Sequence, residues 1–200
     1  MARVTLNKTA LKAERDRLSL YEQYLPSLDL KRQQFLFEIR KARKERDETR
    51  DKLKRIEDES AEWLALLGNE EIDPSGLVKL EDVKLGEQNL LGVKLPVLED
   101  TRFRIFEYSM LARPVWVDTL VDVLYETVEF QVLLQVQEER LRRLQRALQT
   151  ITQRVNLFDK VLIPETRQNI RSIQIALGDT ERAGVVRSKI AKAKRQAEGF

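Results

Sequence analysis

Apolar residues recur near both ends of the chain at alternating steps of three and four. Toward the C-terminal side, Leu141, Leu144, Leu148, Ile151, Val155, Phe158 and Leu162 keep this spacing unbroken, with mostly charged or amide residues between them. Such a repeat lays one apolar seam along an α-helix, and a narrow seam is buried only against another helix. The N-terminal side supplies the partner in one heptad register: Leu11, Leu18, Tyr21, Leu25, Leu28, Phe35, Ile39, Ala42, Leu53, Ile56, Trp63 and Leu67. Glu14, Arg32, Arg46, Thr49 and Ser60 also fall on seam positions, so the coil is expected to be imperfect, most of all from Arg43 to Lys54.

The pattern predicts a first helix from near Leu6 to about Leu67, where Gly68-Asn69 is a stop signal. At 1.5 Å per residue, roughly 60 residues make about 90 Å of helix. Pro26 is expected to kink or break it, because the proline ring clashes with the preceding turn. A second helix is expected from between Val115 and Thr119 to about Leu177, with polar Thr127 and Gln137 in its seam setting the register. Pro164 interrupts it, after which Ile170, Ile173 and Leu177 resume on a shifted face. Antiparallel pairing of Leu67 with about Thr119 puts Pro26 opposite about position 160, close to Pro164, so both helices bend at one height. Gly178-Asp179-Thr180 reads as a cap and restart before a short basic helix.

Between the seams the pattern changes. Asp73-Pro74-Ser75-Gly76 is a turn, and Leu77 to Leu85 and Leu90 to Leu98 read as two short strands around Gly86-Glu87-Gln88-Asn89. Pro96 confines the second strand to an edge. Phe103 to Leu111 reads as a further strand or a short helix, and Arg113-Pro114 punctuates before helix two. The expected fold is mainly α: a long, curved antiparallel two-helix coiled coil with a β-hairpin insert at the end opposite the termini. Its expected divisions are 1–68, first long helix; 69–117, insert; 118–178, second long helix; and 179–200, basic tail helix.

Composition agrees with this picture. Charged residues make up 34%, aromatics 6%, and there are 7 Gly and 5 Pro, a mixture suited to long exposed helices. No stretch approaches the roughly 18 consecutive apolar residues of a membrane span. The N-terminus lacks the apolar core of a signal peptide, and the chain has 0 cysteines. A soluble, cytosolic protein without direct membrane insertion is expected.

Net charge is only +3, but it is unevenly distributed. Arg182 to Gln196 carries Arg182, Arg187, Lys189, Lys192, Lys194 and Arg195 with no acid among them, whereas Glu70 to Glu107 is predominantly acidic. An antiparallel pair would be basic at its terminal end and acidic at its insert.

Catalytic arrangements are scarce. Without histidine or cysteine there is no Ser-His-Asp triad, no catalytic thiol and no His-based metal site. Gly-rich phosphate loops are absent. Glu57-Asp58-Glu59 and Glu138-Glu139 read as solvated helix faces. No enzymatic activity, cofactor or metal is expected. The basic tail belongs to no recognised nucleic-acid module and has only the terminal Phe200 as an aromatic, so a protein-facing or solvated role is favoured over nucleic acid. Trp63 and Trp116 flank the insert and read as a core plug.

Particular residues carry a resemblance to a known family. Arg154-Val155-Asn156-Leu157-Phe158-Asp159-Lys160-Val161-Leu162-Ile163-Pro164 is similar to the R-V-N-A-L-E-x-x-x-I-P signature of the D subunit of the V-type rotary ATPases, with Leu157, Phe158 and Asp159 in place of Ala-Leu-Glu. Asn89-Leu90-Leu91-Gly92-Val93-Lys94-Leu95-Pro96 is similar to its N-x-x-G-V-x-x-P element, and Asp179 to Lys194 to its basic C-terminal segment. Thr5-Leu6-Asn7-Lys8 through Leu28-Asp29-Leu30-Lys31 resembles its L-x-L-K helix, departing at Pro26.

The resemblance implies a non-catalytic rotor shaft. The coil would stand inside the ring of catalytic and non-catalytic A and B head subunits, termini uppermost. Its lower part would bind the small F subunit and seat on the funnel-shaped C/d component above the membrane ring. Rotation would couple ATP hydrolysis or synthesis to proton or sodium flow. On this view Lys8, Lys12, Arg15, Arg187, Lys189 and Lys192 form the upper bearing surface, and the complex is peripheral to the membrane. Two other readings compete: a coiled-coil adaptor that presents its ends to protein partners, and a basic helical hairpin that binds nucleic acid.

Overall fold

The computed structural model describes residues 5–67, 77–105 and 116–197. Its elements are α1 (Lys8–Leu67), β1 (Val78–Leu90), β2 (Val93–Ile105), α2 (Trp116–Leu157) and α3 (Ile163–Ala197), with a π-helical turn, Phe158–Leu162, joining α2 to α3. The chain divides into two compact units: Met1–Arg32 with Thr150–Phe200, and Gln33–Gln149.

Helix α1 starts at Lys8 because Asn7 caps it: Asn7 Oδ1 accepts the Ala10 N–H at 2.7 Å. Its heptad holds from Leu11 to Ser60. Phe35, Ile39, Ala42 and Leu53 are buried, and so are the polar seam residues Glu14, Thr49 and Ser60. The hydroxyls turn back on their own helix, Thr49 Oγ1 to Glu45 O at 3.0 Å and Ser60 Oγ to Ile56 O, which satisfies them inside the seam. The break considered at Pro26 does not occur; the helix runs through it. A mid-helix proline costs about 3 kcal/mol, and the seam on either side of it, Tyr21, Leu25 and Leu28, stays partly buried and holds the helix together.

In the terminal unit α1 pairs antiparallel with α3. Lys8 meets Glu181 at 3.7 Å, Glu14 meets Asn169 at 3.5 Å and Glu22 meets Arg167 at 2.7 Å. Tyr21 packs edge-on against Phe158, ring centroids 5.4 Å apart. The restart expected at Gly178-Asp179-Thr180 is not present, and α3 continues to Ala197. Thr180 donates its hydroxyl to Ala176 O at 2.8 Å, a bond made inside a helix rather than a cap.

In the other unit α1 runs beside α2, with the Lys52 ammonium 5.8 Å from the Phe130 ring centroid. The hairpin covers a further face of α2. Leu77, Val117, Leu120 and Val121 form a buried cluster with Val78 and Leu124 against it, and Phe103 packs on Tyr125 at 4.4 Å. Arg143 Nη1 donates to Lys94 O at 3.1 Å.

The two strands are longer than expected, and the turn lies elsewhere. β1 and β2 pair antiparallel from Val78↔Ile105 to Leu90↔Val93, so the turn is Leu91-Gly92, not Gly86 to Asn89. Leu91 has φ 53° and Gly92 φ 89°, the two positive angles a type I′ hairpin turn demands. Asn89 Oδ1 accepts the Gly92 N–H at 3.0 Å. Pro96 sits opposite Glu87; in a two-stranded sheet each strand has an open edge where a missing N–H does no harm. The ladder slips between Leu80 and Asp82 and again between Lys84 and Leu85. One extra residue on each strand therefore bulges the ribbon.

The signals at Gly68-Asn69, Asp73 to Gly76 and Arg113-Pro114, the segment from Phe106 to Leu111, Phe200 and the side chains of Trp63 and Trp116 lie outside the described residues.

Candidate interaction surfaces

Among the described residues no group of acidic side chains is arranged to hold a metal ion. No described helix is long and apolar enough to cross a membrane. Glu57, Asp58 and Glu59 are exposed. Glu139 is held by arginines instead: Arg143 Nε lies 3.0 Å from Oε1 and Arg142 Nη1 2.9 Å from Oε2. The Arg143 hydrogen bond, aided by the charges of Arg142, Arg143 and Arg146, outweighs partial desolvation and holds the Glu139 carboxyl below its ordinary value.

The six basic residues of the expected upper surface all belong to the terminal unit. Lys8, Lys12 and Arg15 recur at four and three along α1, which places them on one stripe, and all three are exposed. Lys8 is brought to α3 by its contact with Glu181, an exposed pair of little energetic weight. Arg187, Lys189 and Lys192 are exposed on α3; Arg187 Nε donates to Ala183 O at 3.3 Å.

Sequence reasoning missed a second feature of the same helix. Val185, Val186 and Ile190 are 54–56% exposed among these bases. Leu20, Tyr24, Leu30, Leu36 and Phe37 are likewise exposed on α1, as are Leu157, Val161 and Ile175 further along the chain. A signal for them was present: each is an apolar residue off the seam register of its helix. Contiguous apolar patches mark surfaces that meet other chains, whereas singly exposed apolar residues are ordinary.

The hairpin and α2 enclose an open groove of 340 Å³ lined by Leu80, Val83, Leu85, Pro96, Val132 and Val136, with Glu139 and Arg143 at its polar side. Leu80 and Val83 share this lining although three residues apart, because the ladder slip at Glu81 inserts one residue between them. Alternation in the sequence alone does not reveal that spacing.

Antiparallel helix pairs bearing a bulged β-ribbon, with charge and stray apolar residues on their outer faces, define a helical scaffold. Residues 10–193 match the family model for the D subunit of ATP synthase, and the chain belongs to that family. It is 33% identical over 198 residues to the V-type ATP synthase D subunit of Borreliella burgdorferi, covering 96% of this chain and 95% of that protein. With the proteins of the same description from Chlamydia abortus and Chlamydia caviae it shares 36% and 34% identity, each over 98% of this chain and 95% of the relative.

Proposed function

We propose that this chain is the central rotor shaft of a V-type ATP synthase, a component without catalysis of its own that couples ATP turnover in the head to ion movement across the membrane. The observation that carries the reading is family membership along nearly the whole chain, on a fold whose α1 is one helix from Lys8 to Leu67. A shaft works by presenting different faces to surrounding sites. Its orientation then biases their states through differential contacts, and tight binding to one site would only stall it.

On this reading residues 1–68 and 118–178 are the two arms, 69–117 the insert and 179–200 the tail. The tail with Lys8, Lys12 and Arg15 turns within the A and B head subunits. The F subunit and the funnel-shaped component hold the lower part, and the apolar residues exposed on α1 and around the π-turn are surfaces for these partners. The protein is peripheral to the membrane on the cytoplasmic side.

Reconstitution tests this directly. Head, shaft and membrane sectors assembled with the chain should pump ions on ATP addition, and sectors assembled without it should hydrolyse ATP uncoupled or fail to join. Changing Lys8, Lys12, Arg15, Arg187, Lys189 and Lys192 to Glu should weaken head assembly and ATP-driven rotation while leaving the isolated chain's melting temperature nearly unchanged. Full coupling in the charge-reversed complex would remove the bearing assignment. Full coupling without the chain would remove the shaft reading.

A further inference from the structure

The seam that enters from α2 and the seam that leaves along α3 are out of phase. Leu144, Leu148, Ile151, Val155, Phe158 and Leu162 step by four and three, and the next members would be Glu165, Asn169, Ser172 and Ala176. Instead Ile163, Thr166 and Ile173 are the buried residues of α3; Glu165 and Ser172 are exposed, while Asn169 and Ala176 share the half-buried class of Ile170 and Leu177. Each observed member lies one residue later than the pattern requires. A one-residue slip amounts to about 100° around an α-helix.

The π-turn supplies that slip. The Ile163 N–H donates to Phe158 O, five residues back, so the turn holds one residue more than an α-turn. Its position follows from Pro164. A proline has no N–H for the Lys160 carbonyl, and its ring crowds that carbonyl in α geometry. Widening the turn immediately before it relieves both. Across the seam Pro26 interrupts the ladder of α1 at the same height. The two irregularities share a cleft of 520 Å³ lined by Leu25, Pro26, Asp29, Arg32, Val155, Asn156, Asp159 and Lys160. Yet α1 keeps its heptad through Pro26, with Leu25, Leu28 and Arg32 all partly buried in phase. The correction is made on one helix only.

We propose that Phe158–Leu162 is a register joint: a one-residue insertion, pinned by Pro164, that brings the offset apolar pattern of α3 into phase with the uninterrupted seam of α1. The joint therefore decides which face of α3, and so which of Arg187, Lys189 and Ile190, points away from the pair. It is also the locally weakest stretch of the pair, because both helices lose backbone hydrogen bonds beside it. None of this requires the shaft assignment, and its tests use the full-length chain alone.

Deletion and insertion at the joint should have opposite outcomes. In an ordinary buried helix either change rotates everything beyond it out of register. Here deletion of Lys160 made together with Pro164→Ala removes the surplus residue and the ring that would clash in an α-turn, and leaves Ile163, Thr166 and Ile173 in a plain α-helical seam, so melting should be unchanged or raised. Insertion of one alanine after Lys160 should lower it. The chain contains no cysteine, so single thiols report the register without interference. The Glu165→Cys thiol should alkylate about tenfold faster than the Thr166→Cys thiol, as exposed against protected sites do, and this order should persist when Lys160 is deleted. Amide exchange over Asp159–Thr166 should be faster than over Ile151–Leu157 and should slow in the deletion variant. Should the deletion variant fail to fold, Pro164→Ala alone decides: restoring the donor should slow exchange at the turn. A reversed alkylation order after deletion, equal damage from deletion and insertion, or exchange at the turn unaffected by Pro164→Ala would each overturn the proposal.

Discussion

The unit holding both chain termini and the unit holding the hairpin use the same helix, α1, to different ends. In the terminal unit α1 meets α3, whose outer surface is bare: from Asp179 to Ala197 only Gly184 is even half-covered, and Val185, Val186 and Ile190 stay exposed. In the hairpin unit α2 is covered by α1 and by the β-ribbon, and its residues are half-buried or buried over a broader arc. Val117 and Leu144 there are fully buried, as is Leu95 on the ribbon. A two-helix seam gives each side chain few neighbours, so it leaves surface for other chains. A third layer raises burial, and here it also ties the ribbon to α2 through Arg143 and Lys94.

Truncating one fully buried residue in each unit breaks the comparison most directly. Leu144→Ala and Ile173→Ala should each cost about 2–5 kcal/mol, Leu144 toward the upper end because the ribbon stiffens α2 beside it and hinders collapse around the cavity. Urea unfolding measures both; a larger loss at Ile173 would mean that the ribbon adds no rigidity to its side of α2.

The hairpin turn comes next. Gly92→Ala places a side chain at φ 89° and should cost about 1 kcal/mol, whereas Leu91→Gly removes the penalty a branched residue meets at positive φ and should stabilise by about the same amount. Thermal melts of the two variants should therefore move in opposite directions.

A smaller effect concerns acid. The Glu139 carboxyl titrates below the ordinary glutamate value in the folded chain. A lowered folded value means stability present above the unfolded value and lost as the pH falls through the folded one. Glu139→Gln should therefore flatten the acid limb of the melting curve and leave stability below that limb unchanged. The same substitution should loosen Arg143 and with it the ribbon, seen as faster exchange at Lys94 and Leu95. The smallest change is expected in the terminal unit: Glu181→Gln breaks an exposed contact with Lys8 worth about 0–1 kcal/mol, and a shift beyond that range would reveal a closer tie between α1 and α3 than their geometry suggests.

Much of the fold was legible because a heptad is a local code. Every seam position from Leu11 to Ser60 along α1 is buried or half-buried, including Glu14, Arg32, Arg46, Thr49 and Ser60, which composition alone would have placed outside. The shifted face after Pro164 was legible too, since Ile170, Ile173 and Leu177 are visibly off phase. Other features were not. Gly86 to Asn89 has turn composition yet lies within the ladder, because cross-strand pairing rewards a long ribbon and Leu91-Gly92 closes it with the right twist. Thr180 reads as a cap yet bonds to Ala176 inside α3. In the seam of α2, Gln137 reads as a register-setting residue, yet its Oε1 has no hydrogen-bond partner, so its contribution there is a cost that neighbouring apolar contacts offset.

The order of apolar residues by itself determined two helices with complementary seams, a strand-forming insert between them and a basic tail, since period and charge are properties of neighbouring residues. Tertiary structure decided where irregularities were tolerated: that α1 crosses Pro26 intact, that the slip before Pro164 takes the form of a π-turn, and that bulges at the ribbon bring Leu80 and Val83 to one lining. The physical reason is that a local defect costs a few kcal/mol at most, while the burial that overrides it is summed over contacts far apart in the chain.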